Sequence, residues 1–220
     1  MNIMDKLKNH SQNLKTIGFF GDSFCADMKS EDYETYIMKL VKRNRLIVTS
    51  LGYRGSSIWD TMLLQFLPLI NNSKVPDILV FVWTDETRLF HRQFRDITIG
   101  TFRGEKTEDI YRVADEYYKN FLDLELMQFQ YASALKYFDS EILSKLLPDK
   151  KIIHLRSYSM PWLQKYNFKW KHGVEVKQEL KLLTDPDNYM AANHIYGEEN
   201  NQILFERIQN ALENQDIIQL

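Results

Sequence analysis

The chain has 220 residues, 44% of them apolar and 26% charged, and its 28 Lys and Arg against 30 Asp and Glu leave a formal charge of −2. That length suits a single globular domain over 1–220 with a sizeable core, and the near balance of charge gives no general pull toward nucleic acid or an anionic membrane. One cysteine, Cys25, excludes an internal disulfide framework, and no CxxC, HxH or HExxH spacing offers a metal site, so neither metal nor cofactor is expected.

The opening MNIMDKLKNHSQNLK is polar and lacks the apolar core of a signal peptide, and no later stretch is long enough to span a bilayer. A cytoplasmic or otherwise soluble protein is the expectation. Thr16 to Phe20 is the first predicted strand, followed by Leu46 to Leu51, Ile78 to Trp83 and Lys151 to Leu155; these runs are mostly apolar throughout, as strands covered on both faces are. Between the first two, Tyr33, Ile37, Leu40 and Val41 recur at helical spacing, and between the next two Ile58, Met62, Phe66 and Leu69 do so. A long helical region is predicted from about Glu108 to Leu147, ended by Pro148, and a closing helix from Glu198 to Leu212. Strands alternating with helices predict right-handed crossovers and an α/β fold of three α/β/α layers around a mostly parallel sheet. No repeat, linker or low-complexity tract marks a boundary, and Tyr158 to Asn193 yields no clear pattern.

In an open α/β sheet the ligand crevice lies beyond the carboxyl ends of the strands. The first strand is followed by Gly21-Asp22-Ser23, the second by Gly52-Tyr53-Arg54-Gly55-Ser56-Ser57, and the third by Thr84-Asp85-Glu86-Thr87-Arg88; Asn193-His194 precedes the last helix. A serine, a glycine whose amide can be approached closely, a polar side chain and a histidine are what acyl transfer needs: nucleophile, oxyanion donors and general base. Each part also has an ordinary reading, since Gly, Asp and Ser are what turns prefer and a lone histidine is commonly a surface or packed residue.

Taken in order, GDS, GYRGSS, WTDET and NHIYGEENN resemble the blocks of the SGNH (GDSL-type) hydrolases across roughly the whole chain. The resemblance implies a flavodoxin-like sheet and a cofactor-independent esterase or carbohydrate O-deacetylase, with a small-molecule ester or acylated carbohydrate as substrate. By the same resemblance Ser23 is the nucleophile, the Ser23 and Gly55 amides bind the oxyanion, and His194 takes the serine proton, with Asp22, Asp187 and Asn193 in support. Two positions depart from the family pattern. Its third block carries an asparagine donor where this chain has Asp85, whose carboxylate accepts only; a neutral Asp85, Thr84 or Arg88 would have to donate instead. The aspartate expected three residues before the histidine is Ala191, which leaves a Ser-His dyad, Asp187 or a backbone carbonyl to orient the ring. These departures equally suit a catalytically weak or inactive SGNH-like protein that binds or supports.

Two further stretches carry open readings. RLFHRQFR sets Arg88, Arg92 and Arg95 on one predicted helical face, suited to an anionic polymer or phosphate, to plain solvation or to a subunit contact. SYSMPWLQKYNFKWKH offers Trp162, Tyr166 or Trp170 as an apolar wall for substrate or as core rings.

Overall fold

IGFF and ILVFVW are apolar at consecutive positions, so strands made from them must be covered on both faces. In the computed structural model, which describes residues 14–30, 32–92, 97, 109–184 and 194–218, they lie at the centre of a five-stranded sheet. Its strands are β1 (Thr16–Phe20), β2 (Ile47–Ser50), β3 (Ile78–Trp83), β4 (Lys151–Arg156) and β5 (Val174–Glu179). The order is β2-β1-β3-β4-β5 and every pairing is parallel.

The period of two along each strand sorts its side chains between two cores. Phe19, Val80 and Val82 face α1 (Tyr36–Asn44) and α6 (Gly197–Ile218), which contribute Tyr36, Ile37, Leu40, Leu204 and Ile208. Phe20, Leu79, Phe81 and Trp83 face the opposite layer. That layer holds a π-helical segment (Asp60–Phe66) running into α2 (Leu67–Asn71), and α4 (Leu124–Tyr137) running into a second π-helical segment (Phe138–Leu143) and the short α5 (Ser144–Leu146). Helices on both faces of a parallel sheet make the three-layer α/β/α fold. Ile58, Met62 and Phe66, buried at steps of four, keep one apolar face through the first π-helical segment, where a wider turn suits that spacing.

Three elements differ from the sequence reading. The helical region predicted over 108–147 is broken: α3 (Asp109–Asn120) ends, and Asp123 starts α4 by accepting the Leu126 amide at 3.0 Å. β5 lies in the stretch that gave no pattern, because an edge strand shows solvent one face and VEVKQE buries Val176 while exposing Lys177. RLFHRQFR does not form the expected arginine-lined helix over its described part. The Leu89 amide instead bonds Ile97 O at 2.9 Å in an isolated antiparallel bridge, and Arg88 turns inward and is buried. Phe94 and Arg95 lie outside the described residues. Among the described residues, no helix is long and apolar enough to cross a membrane.

Candidate functional site

In a sheet of this order the connections diverge between β1 and β3, which opens a crevice beyond their carboxyl ends. The turns after both strands flank it. Gly21 leaves β1 with φ 152°, and a Cβ there would sit 2.4 Å from Val82 O, so only glycine lets β1 turn this close to β3. Asp22, fully buried, then caps a single 3-10 turn, Ser23–Cys25, by accepting the Phe24 amide at 3.0 Å. Ser23 therefore opens a capped turn at the end of a central strand. It is 9% exposed, and among the described residues no hydrogen bond engages its hydroxyl or its amide.

The loop after β2 is tied to this turn from both ends. Gly52 N donates to Cys25 O and Tyr53 N to Gly21 O, each at 3.0 Å, while the Ser56 amide closes a turn on Tyr53 O at 3.2 Å. Gly55 sits inside that turn with φ 73°, in the left-handed region glycine favours, and its amide has no acceptor among the described residues. Gln65, buried in the first π-helical segment, clamps the two loops: its Oε1 accepts the Gly21 amide at 2.8 Å, and its Nε2 donates to Gly21 O at 2.8 Å and Ser56 Oγ at 2.9 Å. Sequence reasoning missed Gln65. The legible signal was a lone amide inside an otherwise apolar helical repeat.

The loop after β3 is pinned along its length. Tyr131 of α4 donates to Thr84 O at 2.7 Å, Gln128 Nε2 to Glu86 Oε1 at 3.0 Å, and Tyr118 of α3 to Thr87 O at 2.6 Å. Asp85 Oδ1 accepts the Thr87 amide at 2.6 Å and also the Thr87 hydroxyl, and Arg88 N returns to Asp85 O at 3.5 Å. The Asp85 carboxylate thus forms the local turn. Thr84 Oγ1 is sealed from solvent and has no partner among the described residues, so as an oxyanion donor it would have to move. Arg88, 9% exposed, extends between the other two loops, with Nη1 3.2 Å from Ser56 O and Nη2 3.6 Å from Asp22 Oδ2. The same Asp22 oxygen is held from just beyond β4, where Ser157 Oγ donates to Oδ2 at 3.1 Å.

His194 reaches the same region from the segment just before α6. Its backbone is left-handed at φ 55°, and its ring packs edge-on against Phe24, centroids 5.4 Å apart, next to Ser23 in the chain. Tyr158 packs on Phe24 as well, at 6.1 Å. Asn201 of α6 holds the histidine segment by donating to Ile195 O at 3.1 Å, while its Oδ1 accepts the first amide of α1, Tyr36 N, at 2.8 Å. Asp187, Ala191 and Asn193 lie outside the described residues. Trp162 sits in the helical layer edge-on to Tyr131, centroids 5.5 Å apart, and Trp170 stacks on His154 at 3.5 Å.

Burial pushes the Cys25 thiol well above its ordinary range, and the nearby Asp22 carboxylate adds to that, so this sulfur is a packed apolar group. Burial likewise raises the Tyr158 phenol and, strongly, that of Tyr131, which keeps both phenols neutral. A cavity of about 590 Å³ lies apart from these loops, between the π-helical segment and α4, lined by Trp59, Met62, Leu63, Phe129 and Tyr137. It offers an apolar surface, with no imidazole or carboxylate in its lining among the described residues.

No protein-family model and no curated protein matches the sequence. Among solved structures, the chain is similar to a family two carbohydrate esterase from Clostridium thermocellum in complex with cellohexaose, at 15% identity and TM-score 0.45 over 91% of this chain and 64% of that one. It is also similar to an acetylxylan esterase from Geobacillus stearothermophilus, at 13% identity and TM-score 0.45 over 90% and 94% of the two chains. A third is a G-D-S-L family protein from Desulfitobacterium hafniense, at 14% identity and TM-score 0.42 over 90% and 99%. The chain spans less than two thirds of the length of the first of these.

Proposed function

We propose that the chain is a serine-dependent ester hydrolase of the SGNH type, acting on a small ester or an acetylated carbohydrate through an acyl-Ser23 intermediate. The observation that carries this reading is the pair of uncommitted amides, Ser23 N–H and Gly55 N–H, in two loops bonded to each other beside an uncommitted hydroxyl. Backbone donors left unpaired in a partly buried turn are costly unless something uses them. A developing oxyanion is such a user.

In the proposed reaction the Ser23 proton passes to His194 as Oγ attacks the acyl carbon. The tetrahedral oxyanion accepts from the two amides, and the alcohol leaves with the proton from His194. Water, activated by the same imidazole, then releases the acid and restores Ser23. The ring contact between His194 and Phe24 supports this assignment of the base.

A second reading, a protein that keeps the fold for binding, is favoured by one observation: no hydrogen bond joins the Ser23 hydroxyl to His194 among the described residues. Such contacts are often long before substrate arrives. A fluorophosphonate probe separates the two. The hydrolase labels covalently on Ser23, and Ser23→Ala loses both labelling and p-nitrophenyl acetate turnover by several orders of magnitude with its melting temperature unchanged. If wild type and Ser23→Ala are alike in failing to label and to hydrolyse short esters and acetylated xylo-oligosaccharides, the binding reading replaces the hydrolase.

A further inference from the structure

We propose that Arg88 is the positioning residue of the oxyanion site, and that Asp85 serves to shape the turn that delivers it. The assignment rests on the acyl-transfer reading and adds to it an answer for the acidic third block. A guanidinium is expensive to bury, and here it is 9% exposed on a loop that had solvent available. Its partners are telling. Among them are the carboxylate of Asp22, the residue before the Ser23 amide, and the carbonyl of Ser56, the residue after Gly55, and Tyr158 also hydrogen-bonds the guanidinium. Arg88 therefore grips the chain on the outer side of each uncommitted amide and sets the spacing between them.

Asp85 makes this possible by being occupied elsewhere. Its carboxylate is turned onto the Thr87 amide and hydroxyl, which curls the loop so that Arg88 doubles back toward the sheet. Tyr118, Gln128 and Tyr131 hold the curl from behind. An asparagine at 85 retains an oxygen that can accept the same two bonds. The cation also offsets the buried Asp22 carboxylate beside the Ser23 turn, a negative charge that would otherwise oppose a developing oxyanion in a partly desolvated crevice.

The test uses the full chain and measures fluorophosphonate labelling rate, kcat and KM for p-nitrophenyl acetate, and urea midpoint. Arg88→Met is expected to slow labelling and kcat by about 100-fold with KM little changed, on the scale of losing one oxyanion donor. Arg88→Lys, which keeps the charge without the fork, is expected to recover part of the loss. Arg88→Ala should regain about tenfold in kcat with added millimolar guanidinium, a rescue that a purely structural support would not show. Asp85→Asn, which keeps an acceptor for the Thr87 bonds, should lower the rate less than Arg88→Met does. The assignment is overturned if Arg88→Met matches wild type, if folded Arg88→Ala shows no rescue, if Asp85→Asn speeds the reaction tenfold or more, or if the Met and Lys variants both fail to fold. A wild type that neither labels nor hydrolyses overturns the acyl-transfer reading itself, and the Arg88 role with it, before any variant is compared.

Discussion

A single amide side chain clamps the first two loops of the crevice from the helical layer, in addition to the backbone bonds between them. Gln65 spends its acceptor on the Gly21 amide and both donors on Gly21 O and Ser56 Oγ, and only a side chain with both functions can do so. Gln65→Met keeps the length of the chain but strands the buried Gly21 amide. The expected loss is about 2 to 3 kcal/mol in stability, read from the urea midpoint at unchanged slope. Gln65→Glu keeps the acceptor and buries a charge facing two acceptors, so it should be worse than Met. A Met variant as stable as wild type would show that the loops hold their geometry without the clamp.

At the scale of elements, the histidine segment depends on how α6 meets α1. Asn201 is fully buried and binds three backbone groups: the first amide of α1 at Tyr36, the carbonyl of Ile195 next to His194, and Gly197 O at 2.8 Å. Tyr33 adds a bond from its hydroxyl to Ile195 O at 2.9 Å. Asn201→Ala leaves the buried Tyr36 amide without its acceptor, at an expected cost of about 1 to 3 kcal/mol. On the proposed function, Ser23 labelling should slow as well, because the base loses its mooring, whereas Asn201→Asp keeps the bond to Tyr36 and loses the one to Ile195. If labelling is slowed by Ala and untouched by Asp, the histidine segment is held by something other than Asn201.

For the whole molecule, acid sensitivity should be governed in part by a histidine far from the crevice. His154 lies fully buried in β4, its Nδ1 accepting from Trp83 Nε1 at 3.1 Å and its Nε2 3.0 Å from His172 O, which fixes the neutral ring with the proton on Nε2. Burial lowers its pKa to about 3, with the nearby His172 carbonyl pulling the other way and the His172 ring adding to the lowering. In the unfolded chain it titrates near 6.5. The unfolded state therefore binds the extra proton first: stability is complete above about pH 6.5 and falls by about 1.4 kcal/mol per unit until pH reaches the folded value. Between pH 7 and 5 this one group should cost about 2 kcal/mol. His154→Gln supplies both bonds without a titrating ring, so its urea midpoint should start lower and fall less steeply across that range; parallel slopes for the two proteins would refute the assignment.

What the sequence alone determined is local. Uninterrupted apolar runs marked β1 and β3, and the position of Gly21-Asp22-Ser23 directly after β1 placed the serine at the end of a strand, because an apolar run and a turn tripeptide are each written in consecutive residues. β5 stayed hidden because an edge strand may carry charge on its open face, and the break at Asp123 was hidden within continuous helical periodicity. The tertiary structure alone decided which polar side chains meet. RLFHRQFR read as a solvated arginine face, yet the fold spends Asp85 on its own turn and draws Arg88 inward, between residues 66 and 32 positions earlier in the chain. Gln65 and Asn201 read as single polar residues in helices, and their partners lie 44 and 165 positions away. A pairing of that kind is set by how loops close over a packed sheet, and no periodicity along the chain records it.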